Sequence, residues 1–322
     1  MRTVVLGAGA LGSILAAHLA RAGQDVALIA RGPRARLLAE RGVTVTGLAD
    51  FTARVPIIER PAEIDECDVF VLTAKTYDTE AALESVTNLK AGMSMSVQNG
   101  IIKDDRLAEV FGQEHTVGCI ANFSGEVAED GSVRFTRNQG LYFGELTGGP
   151  SSRTEEVAGI LNDAGIKAIA SDDIRSVEWS KYAAWMGLTA VAVLSRLYTH
   201  LVFRDQDLNI LQTELTREAV SLASPLGVDV MDMGELLLPK TLSEAEMDEC
   251  EAVLKKTGLG LEASGTLTHR MSALQDLLRG RRLEVEETFG HAVRLGDELG
   301  VPTPKLDVCY RLLAAIDRNV DA

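Results

Sequence analysis

The chain has 322 residues, of which 46% are hydrophobic and 25% charged, and its formal net charge is −15 at pH 7. This composition is typical of a globular protein, and the length favours two domains of the usual size of roughly 100–200 residues. The excess of acidic residues disfavours nucleic acid and anionic membranes, since both are bound through Lys and Arg. We therefore expect neither partner.

The cysteines and histidines predict no metal site and no redox couple. The four cysteines, Cys67, Cys119, Cys250 and Cys309, are widely separated and include no C-x-x-C pair. The five histidines also lack the spacing of metal ligands. Unpaired cysteines suit a reducing compartment, and the longest later apolar run, residues 183–195, is too short to span a bilayer. We therefore expect a cytoplasmic protein with no bound metal.

The first half of the chain alternates short apolar runs with helical patterns. An apolar run at Thr3–Leu6 leads into Gly7-Ala8-Gly9-Ala10-Leu11-Gly12, and a helix is predicted over Ser13–Ala22. Alternating strands and helices favour a parallel sheet, so this half is predicted to be an α/β Rossmann domain with a doubly wound sheet. Further strands are predicted at Asp25–Ala30, Val69–Thr73, Met93–Val97, Thr116–Phe123 and Lys167–Ala170, the last of which would close the sheet, and helices at Thr79–Leu89 and Thr154–Ala164.

The end of this half predicts an antiparallel pair of strands, after which the pattern changes. The pair would be Ser132–Thr136 and Gln139–Gly144, joined at Arg137-Asn138. Beyond Asp172 only helices are predicted, at roughly 174–197, 206–224, 243–256, 264–279, 283–299 and 305–318. We therefore predict a Rossmann domain over residues 1–172 and an all-helical domain over residues 173–322. The apolar helices of the second domain favour a homodimer, and we expect this domain to bind the substrate.

Three glycines in the first turn predict a dinucleotide site. Gly7, Gly9 and Gly12 satisfy G-x-G-x-x-G directly after a strand and at the start of a helix. In this context they allow a tight turn and a close approach of the backbone to a pyrophosphate, whose charge the helix N-terminus favours. The predicted cofactor-binding positions are therefore Gly7, Gly9, Ala10, Leu11 and Gly12. The alternative is a glycine-rich turn without a ligand.

Arginines after the second predicted strand favour NADP over NAD. A chain that binds NAD normally carries Asp or Glu about 20 residues after the glycines, to hold the ribose 2′-hydroxyl. Here Arg31 follows the strand, with Arg34 and Arg36 close behind. A planar guanidinium donates two charge-assisted hydrogen bonds to a 2′-phosphate, so we predict that Arg31 binds NADPH. The alternative, solvated surface arginines, applies mainly to Arg34 and Arg36.

Four local sequences carry candidate site residues. They are Thr73-Ala74-Lys75, Val97-Gln98-Asn99-Gly100, the segment around Lys181, and Met271-Ser272-Ala273-Leu274-Gln275-Asp276 followed by Gly280-Arg281-Arg282-Leu283-Glu284. Together these four sequences resemble the ketopantoate reductase family. The last is similar to the family's Ser-x-x-Gln-Asp and Arg-x-x-Glu elements in order and spacing. The resemblance runs from the first strand to Glu284 and implies reduction of a 2-keto acid by NADPH.

The resemblance implies a role for each matching residue. Lys75 lies near the cofactor and the substrate, and Asn99 lies beside the nicotinamide and the catalytic lysine. Lys181 is the general acid that gives a proton to the ketone oxygen, and its apolar neighbours would ease release of that proton. Ser272 hydrogen-bonds the substrate carboxylate, and Glu284 accepts from the substrate hydroxyl or orders the lysine.

The same residues also have simpler interpretations. Asn99-Gly100 favours an ordinary tight turn, and a lone helical lysine such as Lys181 usually lies at the surface. Glu284 fits an exposed helix face that carries several carboxylates. The order and spacing of all four segments favour the functional roles.

The helix after Lys181 departs from the family pattern. Typical members carry asparagines four, eight and eighteen residues after the lysine, where this chain has Trp185, Thr189 and Thr199. An indole and hydroxyls in place of amides remove bidentate polar contacts and add bulk. We therefore predict that Trp185 and Thr189 contact a substrate that is bulkier or more apolar than ketopantoate.

Three hypotheses for the function follow from these patterns. The first is hydride transfer from NADPH to a 2-keto acid, which gives the 2-hydroxy acid. The second is reduction of another carbonyl or an imine on the same scaffold. The third is a non-catalytic NADPH-binding sensor, suggested by the altered asparagines. Retention of Lys181 with Glu284 argues against the sensor, because a sensor has no use for a positioned acid.

Overall fold

Two sheets and five helices form the first of two units into which the chain divides, Met1–Arg175. The computed structural model describes residues 1–320. The strands of this unit are β1 (Arg2–Leu6), β2 (Asp25–Ile29), β3 (Val43–Gly47), β4 (Phe51–Ala53), β5 (Ile57–Ile58), β6 (Glu66–Leu72), β7 (Lys90–Ser96), β8 (Val117–Val127), β9 (Val133–Glu145) and β10 (Ala168–Ala170). Its helices are α1 (Ala10–Arg21), α2 (Gly32–Arg41), α3 (Thr79–Glu84), α4 (Lys103–Phe111) and α5 (Ser152–Asp163).

The first sheet is parallel throughout, in the order β5-β2-β1-β6-β7. Its central strands are nearly continuous apolar runs, as expected for strands that are buried on both faces. On one face Val4 and Phe70 pack with Leu107 of α4, and on the other Val5 packs with Leu15 of α1. The predicted doubly wound Rossmann arrangement is confirmed.

The second sheet is built around β9, in the order β10-β9-β3-β4. Strand β8 runs antiparallel along one edge of β9. Along the other edge, β3 pairs with residues Val133 to Phe135 and β10 pairs with residues Leu141 to Phe143. The prediction that residues 167–170 close the first sheet is therefore wrong, because this strand belongs to the second. Neither β3 nor β4 was predicted.

The predicted turn at Arg137-Asn138 is also wrong, because β9 continues through it. Asn138 stays in the strand, where its amide donates to the carbonyl of Gly165 at 3.1 Å and accepts from the backbone nitrogen of Lys167 at 3.0 Å. Two shifts in the register between β8 and β9 accommodate the turn-favouring residues. The antiparallel partner of β9 is therefore β8, and residues 132–136 do not pair with residues 139–144.

The second unit begins at Ser176 and contains no strand among the residues that the structure describes. The helices of this half are α6 (Ile174–Ser195), α7 (Thr199–Val202), α8 (Gln206–Ala223), α9 (Pro239–Glu244), α10 (Met247–Ala263), α11 (Ser272–Leu278), α12 (His291–Leu299) and α13 (Pro304–Arg318). A π turn at Glu286–Gly290 leads into α12. The predicted helical architecture is confirmed.

Four helix boundaries differ from the prediction, two of them at glycines. The helix predicted at 264–279 is α11 alone, because α10 ends at Ala263 and Gly265 has a φ of 72°. The helix predicted at 283–299 begins as the π turn, after Gly280 with a φ of 63°. Extended backbone at Ala245 separates α9 from α10 within the segment predicted at 243–256. In the first unit, α3 ends at Glu84, five residues before the predicted end.

Helix α6 packs closely on α8 at Gly187. A Cβ at this position would collide with the hydroxyl of Thr216 and the backbone carbonyl of Gln212, so glycine lets the two helices approach. The 22-residue α6 is the longest helix of the described chain. None of the helices within residues 1–320 is both long enough and apolar enough to cross a membrane.

Candidate functional site

The glycine loop lies between β1 and α1, at the carboxyl edge of the parallel sheet. Gly7 has a φ of 117°, which suits glycine, and a Cβ on Gly12 would collide with the carbonyl of Gly7. Around Gly9, by contrast, a Cβ would meet no protein atom within 4 Å. Gly9 is also the N-cap of α1 and provides no side-chain cap, so the first amides of the helix have no partner in the cap. These features fit a pyrophosphate.

Thr73, which directly follows β6, holds the start of the glycine loop through hydrogen bonds to two backbone carbonyls. Its hydroxyl donates to the carbonyl of Gly7 at 2.6 Å, with the carbonyl of Leu6 at 3.1 Å. Sequence reasoning assigned no role to Thr73. The signal was a hydroxyl at the end of a strand that pairs with β1.

Lys75 and Asn99 stand at the same sheet edge as the glycine loop, because they follow β6 and β7. Both side chains are partly buried. The buried Gln98 connects the two loops, since its amide nitrogen donates to the carbonyl of Ala74 at 3.0 Å and to the hydroxyl of Thr79 at 2.8 Å. The first unit thus brings the glycine loop, Lys75 and Asn99 to one edge. The connecting role of Gln98 was not predicted.

The three arginines that follow β2 differ in their surroundings. Arg31 is exposed at the N-cap of α2, and within residues 1–320 its side chain makes no hydrogen bond or ion pair. Arg36 is also exposed. Arg34 is partly buried, and its guanidinium donates to three oxygen atoms. The solvated-surface alternative is therefore wrong for Arg34, and Arg31 remains the predicted ligand of a 2′-phosphate.

Lys181 lies on α6 between two buried residues whose hydroxyls are hydrogen-bonded. The Lys181 side chain itself is partly buried. The hydroxyl of Ser180 accepts from the backbone nitrogen of Met231 at 2.8 Å, and the hydroxyl of Tyr182 donates to the carbonyl of Thr288 at 2.7 Å. Burial raises the pKa of Tyr182, so its hydroxyl stays a donor. The backbone around Lys181 is therefore held on both sides.

The segment that carries Glu284 runs into the π turn. Glu284 is partly buried, and its backbone carbonyl accepts the hydroxyl of Thr288. Turns of this type are frequent at functional sites, because they displace backbone groups from the regular helical ladder. Here the carbonyl of Thr288 is taken by Tyr182. The bond from Tyr182 therefore connects the segment of Lys181 with the segment of Glu284.

Trp185 and Thr189 follow Lys181 along α6 at intervals of about one turn. Both are buried, with exposed fractions of 6% and 1%. The centroids of the Trp185 and Phe289 rings lie 5.9 Å apart. The Thr189 hydroxyl has no hydrogen-bond partner within residues 1–320, and an unsatisfied buried hydroxyl is costly. A buried indole and a buried hydroxyl thus occupy two of the positions at which the resemblance leads us to expect asparagines.

Thr199 is paired with His269, three residues before Ser272. The backbone nitrogen of Thr199 donates to the carbonyl of His269 at 2.9 Å, and the Thr199 hydroxyl lies 2.9 Å from Nδ1 of His269. Ser272 is the exposed first residue of α11. The pair therefore ties the segment that carries Ser272 to the start of α7, a contact that was not predicted.

The cysteines of the described chain are buried and unpaired. Burial raises the pKa of Cys67 to about 12 and that of Cys309 to about 11, so these thiols are poor nucleophiles. Within residues 1–320 no group of three or more His, Cys, Asp or Glu side chains has the arrangement of a metal site.

Comparison with known families matches both units. Ketopantoate reductase PanE/ApbA matches residues 3–148, and Ketopantoate reductase PanE/ApbA C terminal matches residues 173–317. The 2-dehydropantoate 2-reductase of Archaeoglobus fulgidus is 29% identical over 300 residues, which cover 93% of this chain and 92% of that relative. The same enzyme of Pyrococcus abyssi is 28% identical over 307 residues, 94% of each chain.

Solved structures share the fold. The 2-dehydropantoate 2-reductase from Geobacter metallireducens superposes with a TM-score of 0.83 at 24% identity, over 98% of this chain and 99% of that one. A ternary structure of D-mandelate dehydrogenase with NADH and anilino(oxo)acetate gives a TM-score of 0.85 at 19% identity, over the whole of both chains. Likeness at these identities shows the fold alone. The family matches, which extend over most of the sequence, confirm the resemblance: the chain belongs to the ketopantoate reductase family.

Proposed function

We propose that the chain is an NADPH-dependent reductase of a 2-keto acid, similar to 2-dehydropantoate 2-reductase, in which Lys181 is the general acid. The observation that carries the proposal is the common sheet edge that the glycine loop shares with Lys75 and Asn99. Ligands of open α/β sheets bind outside the carboxyl ends of the strands. The names of the two archaeal relatives, matched over more than nine-tenths of this chain, support keto-acid reduction.

In this proposal, backbone amides and one arginine hold the cofactor. The amides of Ala10 and Leu11 bind the pyrophosphate, and Arg31 binds the 2′-phosphate. The exposed, unpaired guanidinium of Arg31 supports NADPH over NADH, because it gains charge-assisted hydrogen bonds only when the phosphate is present. When bound, the nicotinamide supplies hydride to the carbonyl carbon of the substrate.

Residues of the second unit supply the proton and hold the substrate. Lys181 donates a proton from Nζ to the carbonyl oxygen as negative charge develops there. Ser272 donates to the substrate carboxylate, and Asn99 and Lys75 of the first unit orient the substrate. Glu284 accepts from the substrate hydroxyl or orders Lys181. The hydrogen bonds of Ser180 and Tyr182 on either side of Lys181 support this role, because a general acid acts only when it is positioned.

Trp185 and Thr189 favour a 2-keto acid that is bulkier or more apolar than ketopantoate. The buried indole cannot replace the two hydrogen-bonding groups of an asparagine amide, and its contact with Phe289 adds apolar bulk. The ligand of the D-mandelate dehydrogenase structure, anilino(oxo)acetate, joins an aromatic ring through nitrogen to an oxoacetate group. An aryl 2-keto acid is therefore the first substrate class to test.

We also propose that the chain forms a homodimer and works in a reducing cytoplasm. A ketopantoate reductase from Staphylococcus aureus, described as dimeric, shares the fold with a TM-score of 0.76 at 18% identity. Val308 and Leu312 expose 57% and 49% of their surface on successive turns of α13, and exposed apolar side chains favour association. The four buried, unpaired cysteines suit a reducing compartment.

A panel of keto acids tests the proposed activity. NADPH oxidation is followed with ketopantoate, with aliphatic 2-keto acids and with aryl 2-keto acids, and each reaction is repeated with NADH. We expect NADPH to outperform NADH, and an apolar 2-keto acid to outperform ketopantoate. Efficient turnover of ketopantoate would contradict the substrate preference. A protein that binds NADPH and reduces no keto acid would contradict the proposed reaction.

A further inference from the structure

A closed cluster of hydrogen bonds surrounds the carbonyl of Ala8 in the glycine loop. Nε of Arg34 donates to this carbonyl at 3.1 Å, and the buried hydroxyl of Ser13 donates to it at 3.2 Å. A second nitrogen of Arg34 donates to the Ser13 hydroxyl at 3.3 Å, which closes the cluster. Burial lowers the pKa of Arg34, but a guanidinium stays charged near neutral pH. The Ala8 carbonyl therefore accepts one charge-assisted hydrogen bond and one neutral hydrogen bond.

The remaining arm of Arg34 reaches the second sheet of the same unit. It donates to the carbonyl of Gly131 at 2.5 Å, in the turn between β8 and β9. Gly131 has a φ of 85°, and a Cβ there would collide with Leu37 of α2. Glycine at this position lets the turn lie close to α2. One partly buried side chain thus bridges the glycine loop and a turn that is distant in sequence.

The carbonyl that Arg34 holds belongs to the most adaptable part of the loop. Ala8 lies between Gly7 and Gly9, and glycine leaves the backbone on each side free to rotate. The carbonyl of Ala8 and the amide of Gly9 belong to one planar peptide group, so an anchor on the carbonyl orients that amide. The hydrogen bond from Arg34 to the Ala8 carbonyl also sets the direction in which the chain enters α1, whose first amides would bind the pyrophosphate.

We propose that Arg34 is a positioning residue of the dinucleotide site, which holds the glycine loop in the geometry that binds the pyrophosphate. Arg34 acts through the Ala8 carbonyl and does not contact the 2′-phosphate, a task that falls to the exposed Arg31. This role rests on dinucleotide binding in the proposed function, and it is independent of which keto acid is reduced.

Titration with NADPH and NADH separates loop positioning from phosphate recognition. Arg34→Ala should weaken both dinucleotides by a similar factor, roughly tenfold, because both contain the pyrophosphate. Arg31→Ala should weaken NADPH about tenfold or more and leave NADH nearly unchanged. Arg41→Ala removes an exposed charge from the last turn of α2 and should change neither, which makes it the matched control. Dissociation constants are measured by fluorescence titration of the full chain.

A conservative variant and a fragment ligand distinguish positioning from a general folding defect. Arg34→Lys keeps the charge, but one ammonium cannot bridge the carbonyls of Ala8 and Gly131, so we expect a smaller loss for both dinucleotides. Adenosine 2′-phosphate lacks the pyrophosphate, so its own dissociation constant should be the same in the Arg34 variants as in the wild type. That constant should rise in Arg31→Ala.

Three results would overturn the positioning role. They are a loss confined to NADPH in the Arg34 variants, no loss in either variant, and an equal loss of adenosine 2′-phosphate binding. These constants do not depend on turnover. If no keto acid is reduced but the expected pattern of binding is found, the proposed reaction fails and the role of Arg34 stands. If the wild type binds neither dinucleotide, both fail.

Discussion

The two units present their candidate functional groups in different ways. In the first unit the glycine loop offers backbone amides, and its own carbonyls are held by Thr73 and Arg34. In the second unit the candidates Lys181 and Glu284 are side chains, held by contacts such as the bond from Tyr182 to the π turn. A backbone site requires glycines at a set spacing, so the sequence reveals it. A side-chain site depends on how the helices pack, so the sequence reveals only its order along the chain.

This comparison predicts that cofactor binding and chemistry can be altered separately. Substitutions in the glycine loop should change the affinity for NADPH, and substitutions at Lys181 should change the rate. Three further measurements test the separation.

Lys181→Ala should give the largest effect, because it removes the proposed general acid. Loss of a general acid costs about 10²–10⁴ in rate, so we expect kcat to fall by at least about 100-fold. The affinity for NADPH should stay nearly unchanged, since the glycine loop and Arg31 belong to the first unit. Steady-state rates on the best keto acid and a fluorescence titration with NADPH measure the two quantities.

Lys181→Arg serves as the conservative control. It should rescue little activity, because arginine does not release a proton near neutral pH. Near-normal kcat in Lys181→Ala would assign the acid to another residue, with Lys75 as the next candidate. Since Lys75 belongs to the first unit, that result would break the division between binding and chemistry.

Gly9→Ala should weaken NADPH binding at least about tenfold with little change in stability. The new Cβ meets no protein atom within 4 Å, and the φ of −69° suits alanine. The same Cβ would occupy the space through which a pyrophosphate approaches the backbone. Titration with NADPH and thermal unfolding measure the two effects. Unchanged affinity would show that no ligand approaches the loop at Gly9.

Gly187→Ala is the matched control in the second unit. Its Cβ would collide with Thr216 and Gln212, and overpacking of this kind costs about 1–3 kcal/mol. Tm should therefore fall by several degrees, at roughly 2–4 °C per kcal/mol, while NADPH binding is retained. Gly9→Ala should thus change NADPH binding and leave stability nearly unchanged, whereas Gly187→Ala should lower stability and leave binding nearly unchanged.

Acid should lower the stability of the first unit through protonation of His18, and this effect should be smaller than those of the variants above. Nδ1 of His18 donates to the carbonyl of Ala164 at 2.8 Å, and Nε2 is buried without a partner among the described residues, beside Phe51 and Phe135. Burial lowers the pKa of His18 below its usual value of 6.5. The unfolded chain therefore binds the proton more readily. Stability is full above about pH 6.5 and falls as the pH drops towards the lowered pKa, by at most about 1.4 kcal/mol per pH unit.

Thermal unfolding at about pH 7.5 and about pH 5.5 checks the effect of His18. Trp179 and Trp185 both lie in the second unit, so tryptophan fluorescence reports on that unit, whereas circular dichroism reports on both. We expect acid to lower the unfolding temperature measured by circular dichroism more than the unfolding temperature measured by fluorescence. His18→Gln, which does not titrate, should lose less stability than the wild type on acidification. Equal losses would contradict the assignment.

In the first unit, local sequence pattern predicts the parallel sheet but does not predict strand β9. Strands β1, β6 and β7 are apolar runs that alternate with helices, so the parallel sheet follows from local pattern. Strand β9 carries Arg137 and Asn138 at its centre, and local pattern therefore indicated a turn. The strand is continuous because it pairs with β8 and β3, and local pattern does not contain those partners.

The candidate site also has features that local sequence predicts and features that depend on long-range contacts. The spacing of the three loop glycines predicts a dinucleotide site without any long-range contact. The role of Arg34 was not predictable, because its partner Gly131 lies 97 residues further along the chain. In the second unit, the order of Lys181 and Glu284 indicated the family. The bond that connects their segments depends on a π turn, which hydrophobic periodicity does not reveal.

The central position of β9 has a consequence for synthesis on the ribosome. All five strands of the parallel sheet precede residue 97, so they are complete when about a third of the chain has been made. Strand β3, by contrast, must wait for Val133–Phe135 of β9, and pairing over such a separation is slow. Until β9 has been made, the edge of β3 that later pairs with β9 is open to pairing with other chains. Translation that stops before residue 133 should therefore release fragments that aggregate through this edge.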